Sequence, residues 1–293
     1  MGWRVLNIKS VAKVELKQGK IAIRNEDKTN LIHISEIDTV IIENTAVSIT
    51  ASALNELINN KINIVFCDEK RNPASILVAL HGAHDSCNKI RLQIAWDKYT
   101  KDIVWAEIVR AKINQQIIFL NELNKLEREK LFNYVNDIQI GDKTNREAIA
   151  AKEFFYGLYG TSFSRSQDNS INAALNYGYS IILSAFTREI VYSGYLTQLG
   201  IHHDNTFNPY NLACDFMEPY RVLVDRKVYA MQPEKFDKDE KTPLINILND
   251  EVMIDNKKQY VSNAIQIYTR SLFDAINEKD ISLIKNYKGI YEF

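Results

Sequence analysis

The stretch Ser75-Ile-Leu-Val-Ala-Leu80, followed by His81-Gly-Ala-His-Asp-Ser86 and Asn88-Lys-Ile-Arg-Leu-Gln-Ile94, decides the fold class, because the apolar period changes across it. Before the change, an apolar run bounded by Pro73 and a polar segment reads as a strand. After it, Ile90, Ile94, Tyr99, Ile103 and Ile108 recur at helical spacing, as on one face of an amphipathic helix. The polar, glycine-bearing segment between them reads as a linker over residues 81–88.

Toward the N-terminus, short apolar runs at 3–8, 11–16, 20–24 and 31–34 are separated by turn signals at Gln18-Gly19 and 25–30, and the second and third fit a hairpin. Two further runs, 39–42 and 62–67, flank a helix expected at 50–60, where Leu54, Leu57 and Ile58 share a face. Residues 1–80 are therefore expected to form a small β-rich, sandwich-like domain with one helix. Toward the C-terminus the helical region continues through 120–135, with further helices expected at 145–159, 171–199, 242–248 and 258–278. The expectation is an α+β chain whose larger domain, 89–293, is all helical.

With 293 residues, 46% of them hydrophobic, the chain can bury one large core or two smaller ones. Ten glycines and five prolines are too few for a disordered or loop-rich scaffold. Lys and Arg (36) balance Asp and Glu (37), which excludes indiscriminate nucleic-acid binding through total charge but leaves room for a local basic patch. Cys67, Cys87 and Cys214 form no CxxC pair and read as reduced thiols. With no apolar leader core and no apolar run of about 18 residues, the chain is expected to be cytoplasmic and without membrane contact.

Chemistry concentrates in Leu199-Gly-Ile-His-His-Asp-Asn-Thr-Phe-Asn-Pro-Tyr-Asn-Leu-Ala-Cys-Asp-Phe-Met-Glu-Pro-Tyr-Arg221. Asp215 and Glu218, three apart, would share one side of a helix, with Leu212, Phe216 and Tyr220 as a neighbouring apolar stripe. Two carboxylates and an imidazole from His202 or His203 suit Mg²⁺ or Mn²⁺. Spacing alone, however, favours a solvated helix face and a locally bonded histidine pair. Pro219 kinks or breaks the helix and so re-aims Glu218 relative to Asp215. Glu147 is a second acid of interest, although Thr144-Asn-Arg-Glu147 also matches a capping box, which spacing favours. Glu153, six residues further on, points elsewhere and reads as solvated.

Several segments in order, Gly2-Trp-Arg4, His33-Ile-Ser-Glu-Ile-Asp38, Val65-Phe-Cys-Asp68, Gly82-Ala-His-Asp85, Ile171-Asn-Ala-Ala-Leu-Asn-Tyr-Gly-Tyr179 and the block from Asp215 to Arg221, resemble CRISPR-associated protein 1. That family is the integrase of CRISPR adaptation, and the likeness is to its type II form. The resemblance implies that Glu147, His203 and Glu218 are the catalytic, metal-binding residues and that Asp215 supports them. His203 is preferred to His202 because the family's histidine lies three residues after a glycine, here Gly200. Ala148 departs from the glycine that commonly follows the glutamate, and His202 adds an imidazole.

The implied activity is Mg²⁺- or Mn²⁺-dependent insertion of short DNA fragments as spacers, the fragment's 3′-hydroxyl attacking a CRISPR repeat. A metal-dependent DNA nuclease and a non-catalytic DNA-binding scaffold are the alternatives. The implied partners are double-stranded prespacer and repeat DNA, a second copy of the chain, a bridging dimer of CRISPR-associated protein 2 and other type II adaptation proteins. Arg221, Arg165 and Lys152 are candidates for DNA contact, with ordinary surface ion pairs as the competing reading.

Overall fold

A computed structural model describes residues 2–289 apart from Asp27 and His81; His81, the first residue of the expected linker, thus lies outside the described residues. The β-branched runs of the first eighty residues become β1 (Arg4–Ile8), β2 (Lys13–Lys17), β3 (Lys20–Arg24), β4 (Thr29–His33), β5 (Ile37–Ile42) and β6 (Ser48–Ile49). These are followed by α1 (Ala51–Asn59), β7 (Asn63–Cys67) and β8 (Pro73–Leu77). One sheet has the order β1-β5-β7-β8 and a second the order β4-β3-β2-β6. The β1, β5 and β7 ladders are parallel, whereas β8 joins antiparallel at the edge, where a proline can be accommodated. Thr50 caps α1 by accepting from the Ala53 amide, so the helix expected at 50–60 forms with a polar residue at each end.

Every residue of β5 is buried, the pattern of a strand covered on both faces. Val40 and Ile42 join Leu6, Val14, Ile21, Ile64 and Leu57 in a core shared by the two sheets and α1. Ile41, Val65 and Cys67 instead enter the helical core. The first sheet is therefore the wall between the two cores.

The helical part comprises α2 (Ser86–Ala95), α3 (Lys98–Glu122), α4 (Glu127–Asn136), α5 (Arg146–Tyr159), α6 (Ser170–Tyr192), α7 (Asn211–Phe216), α8 (Arg221–Met231), α9 (Lys238–Ile245) and α10 (Val261–Glu278). The β-rich-then-helical architecture read from the sequence is the one observed, although the helical run expected through 120–135 is interrupted at 123–126 between α3 and α4, and there are three further local differences. First, α2 ends before Trp96, and Asp97 starts α3 by accepting from the Thr100 amide at 2.9 Å. This break resets the helical phase, leaving Ile94 and Tyr99 exposed while Val104, Trp105, Ile108 and Val109 are buried.

Second, the helix expected over 171–199 stops at Tyr192, where Gly194 takes φ +88° and the Tyr195 amide turns back to Ile190, a glycine-terminated helix end. The segment from 195 to 210 is thereby freed to run as a loop. Third, part of the helix expected over 258–278 is a hairpin of β9 (Glu251–Ile254) and β10 (Lys257–Tyr260). Its turn residues, Asp255 and Asn256, both have positive φ, which short polar side chains tolerate in a two-residue turn. No described helix is long and apolar enough to cross a membrane.

Candidate metal and nucleic-acid site

The predicted carboxylates and histidines lie on the start of α5, the loop after α6 and the chain through α7 into α8, and α3 packs against α5, α7 and α8. Within α3, Ile108, Val109, Lys112, Ile113 and Gln116 are buried on neighbouring turns, so an ammonium is driven into an apolar stripe. It does not lie unpaired, because Lys112 Nζ donates to Glu147 Oε1 and to Glu218 Oε2. Burial by itself would push the lysine pKa down, but the adjacent charges of Glu218 and Glu147 outweigh it and hold Lys112 above the ordinary lysine range.

Glu147 is available for this contact because another acid caps its helix. Asp142 accepts from the Arg146 amide at 2.8 Å and the Glu147 amide at 2.9 Å. Asn145, at φ +53°, makes no capping hydrogen bond. Among the described hydrogen bonds, the capping box expected between Thr144 and Glu147 is absent. The Glu147 side chain, one quarter exposed, reaches inward to Lys112 instead. Glu153, expected to be solvated, pairs with Lys130 at 2.8 Å at the protein surface.

Pro219 divides the D-x-x-E pair. Helix α7 ends at Phe216, and Glu218, Pro219 and Tyr220 form a 3-10 turn before α8, with the proline in a first turn where no amide is needed. Asp215 and Glu218 consequently do not share a helix face, and the expectation from their spacing is corrected. Glu218, buried, receives Lys112 on one oxygen and Arg221 Nε at 2.8 Å on the other. Burial raises this carboxyl's pKa, but Arg221 and Lys112 together draw it down to about 2, so Glu218 is an anion at neutral pH.

Asp215 has a separate set of partners. Its fully buried carboxylate accepts from the amides of Ile201 (2.7 Å), His202 (3.1 Å) and His203 (3.0 Å) and lies 2.6 Å from His203 Nδ1. This four-point hold fixes the histidine loop and directs the other ring nitrogen of His203 away from Asp215, an arrangement that orients an imidazole for ligation. The bond from Asp215 raises the His203 pKa, burial opposes it, and the charges of Asp215, Glu218 and Glu147 add to the rise. Electrostatically, His203 thus senses both glutamates. His202 is used differently, stacking on Trp105 with ring centroids 4.1 Å apart and planes 4° apart.

The loop tolerates no extra atom at Gly200. A Cβ there would stand 2.2 Å from the His203 carbonyl oxygen and 2.8 Å from Asp215 Oδ2. Gly200→Ala is expected to destabilise the chain by about 1–3 kcal/mol through this forced shift. A denaturant midpoint equal to wild type would show that the close approach is not required.

Of the three basic candidates, Arg221 lies in the cluster itself. Its guanidinium is 4.7 Å from the Tyr179 ring centroid, and Arg165 approaches the same ring at 5.5 Å, so the two cations share one aromatic ring. Lys152 is exposed, and its described contact is with the Tyr156 ring at 5.4 Å; the structure does not connect it to the other two. The Tyr179 hydroxyl donates to Asp225, whose pKa burial pushes up to about 7 while Tyr179 pulls it down.

A carboxyl with a folded-state pKa above its unfolded one favours folding at low pH, and the benefit is lost as pH rises from about 4 toward 7. Asp225→Asn is therefore expected to gain about 1–3 kcal/mol relative to wild type between pH 5 and pH 8. Urea denaturation at the two pH values tests this; a pH-independent difference would contradict it.

Sequence reasoning missed Lys112 and Trp105. Position 112 carried a legible signal, since it falls four residues after Ile108 and three after Val109, where an apolar side chain is expected. Among the described residues, no three His, Cys, Asp or Glu side chains stand close enough to hold an ion unaided. The Lys112 ammonium occupies the gap between Glu147 and Glu218 and receives an oxygen from each. A donor pair already shared by one cation is chemically suited to another hard cation.

The family described as CRISPR associated protein Cas1 matches residues 7–154 and 162–254. A CRISPR-associated endonuclease Cas1 from Neisseria meningitidis serogroup C (strain 8013) is 31% identical over 291 residues, covering 97% of this chain and 96% of the relative. In fold, the chain resembles a casposase bound to integration product, with TM-score 0.75 and 18% identity over 95% of this chain and 91% of that one. It also resembles a chain of a Cas6-RT-Cas1–Cas2 complex, with TM-score 0.74 and 16% identity over 97% of this chain and 36% of that one.

Proposed function

This chain belongs to the Cas1 family of CRISPR-associated proteins, and from that premise we propose that it is a metal-dependent integrase that inserts short DNA fragments into a CRISPR array. The observation that carries the reading is the convergence of Glu147 and Glu218 on one cation, with His203 held by Asp215 within electrostatic reach of both. In this reading Glu147, His203 and Glu218 hold Mg²⁺ or Mn²⁺. The bound ion supplies Lewis-acid polarisation of the phosphodiester under attack.

The chain's own residues do the rest. Asp215 orients the His203 ring through Nδ1 and pins the loop through three backbone amides. Arg221 keeps one oxygen of Glu218 engaged and the carboxylate ionised. With Arg165, which lies against the same Tyr179 ring, Arg221 offers positive charge to the DNA phosphates; Lys152 is a further candidate. The fragment's 3′-hydroxyl attacks phosphorus at the repeat boundary, and the repeat's own 3′-oxygen departs, so one phosphodiester forms as another breaks.

Residues 1–80 are proposed as the dimerising part and 89–293 as the catalytic part, joined by 81–88, in a cytoplasmic prokaryotic complex. Two active centres at a fixed separation require a homodimer bridged by Cas2; other type II adaptation proteins would select the fragments. Product analysis tests the reaction class. Labelled DNA with a free 3′-hydroxyl should become joined to repeat DNA in the presence of Cas2 and Mn²⁺. Cleavage without joining would instead indicate a nuclease that uses water, and no turnover at all a DNA-binding scaffold.

A further inference from the structure

We propose that Lys112 is a positioning residue that stands in for the metal, holding Glu147 and Glu218 together before an ion arrives and yielding its place when the ion binds. The inference rests on the proposed metal site and deepens it by assigning how that site is loaded.

The geometry defines the atoms concerned. Glu218 has one oxygen, Oε1, committed to Arg221 and the other, Oε2, to Lys112. Glu147 gives Oε1 to the same ammonium. An ion binding both glutamates from the gap between them would take the two oxygens that Lys112 now holds. Lys112 is 5% exposed and Glu218 is 4% exposed, so water screens neither. Two cations cannot share that gap, because like charges a few ångströms apart in a poorly screened interior repel strongly.

The lysine also answers a folding problem. Without a cation, two carboxylates would face each other where one is buried, and an uncompensated buried charge is strongly destabilising. Lys112 lets the site form before the ion is present and keeps the carboxylates in register. The same contact must oppose the ion. Metal affinity is thereby set partly by a side chain that is not itself a ligand.

The test is calorimetric titration of Mn²⁺ into the full-length wild type, Lys112→Met and Lys112→Arg. The Met variant, of similar length but uncharged, is expected to melt at lower temperature without metal, to bind Mn²⁺ at least tenfold more tightly than wild type, and to show a larger rise in Tm on saturation. The Arg variant, which keeps the charge, should bind no more tightly than wild type. Unchanged or weaker Mn²⁺ binding by the Met variant overturns the proposal.

If the Met variant does not fold, wild type labelled with ¹³C at lysine Cε serves instead. The Lys112 resonance, assigned by its loss in the Arg variant, should move on saturation with Mg²⁺, and a stationary resonance overturns the proposal. Wild type that binds no Mn²⁺ in any assay would reject the metal site itself, a failure distinct from that of the lysine's role.

Discussion

Glu218→Ala is expected to reduce strand transfer by about 10²–10³-fold or more and to destabilise the chain by about 3–5 kcal/mol. The two losses have separate causes. Activity falls because Glu218 is one of the carboxylates proposed to hold the ion. Stability falls because Lys112 and Arg221 both lose a buried partner, and the buried ammonium keeps only Glu147. Glu147→Ala should match the loss of activity while costing less stability, since its side chain is partly solvated and the Lys112 ammonium retains Glu218. Urea denaturation set beside strand-transfer rates separates the pair, and equal stability losses would contradict this division.

Arg188→Ala is expected to cost about 3–5 kcal/mol, although Arg188 is not among the proposed metal or DNA contacts. Arg188, on α6, donates through Nη1 to Asp38 Oδ1 at 3.0 Å and to the Asp38 carbonyl oxygen at 3.1 Å, and through Nε to Glu189 Oε1 at 2.9 Å. All three side chains are buried. Asp38 belongs to β5, the strand between the two cores, so this network fastens the sheet to the long helix behind the site. Burial lowers the guanidinium pKa, but Asp38 and Glu189 more than compensate and hold it above its ordinary value. Removing the arginine leaves two carboxylates in the interior, with Thr39 still donating to Asp38 and Gln266 to Glu189 but no cation between them. A shift in the denaturation midpoint corresponding to less than about 1 kcal/mol would mean that the pair relaxes to solvent.

The broad plan of the molecule could be read from periodicity because burial imposes it: the central strands β5 and β7 of the first sheet are buried along nearly their whole length, and the long helices bury apolar residues at helical spacing. The breaks between elements were less legible. Asp97 restarts a helix in a single step, Gly194 ends one early, and Asp255-Asn256 turns a hairpin in sequence that otherwise reads as helix. Each depends on one or two residues whose backbone preference is easily outvoted by a window of neighbours.

The candidate site residues were singled out by ordered motifs, and spacing alone misled in two instructive ways. Thr144-x-x-Glu147 has the pattern of a capping box, yet Asp142 reaches the amides first because a left-handed residue at 145 brings it over the helix end. Asp215-x-x-Glu218 has the pattern of a shared helix face, yet Pro219 divides it and gives the two acids different partners. Lys112 belongs to the site only through tertiary packing. Sequence marks it as a charge on an apolar face and cannot say which acids will meet it.

His203 is held by Asp215 through Nδ1, whereas His202 lies flat on Trp105, so only one of them is oriented for an ion. The decisive measurement is joining of labelled 3′-hydroxyl DNA to repeat DNA by the Cas2-bridged complex in Mn²⁺, comparing wild type, His203→Ala and His202→Ala. Loss of joining by about 10²-fold or more in His203→Ala, with His202→Ala remaining within about tenfold of wild type, is the predicted result. Equal loss in both, loss only in His202→Ala, or no joined product from wild type would contradict it.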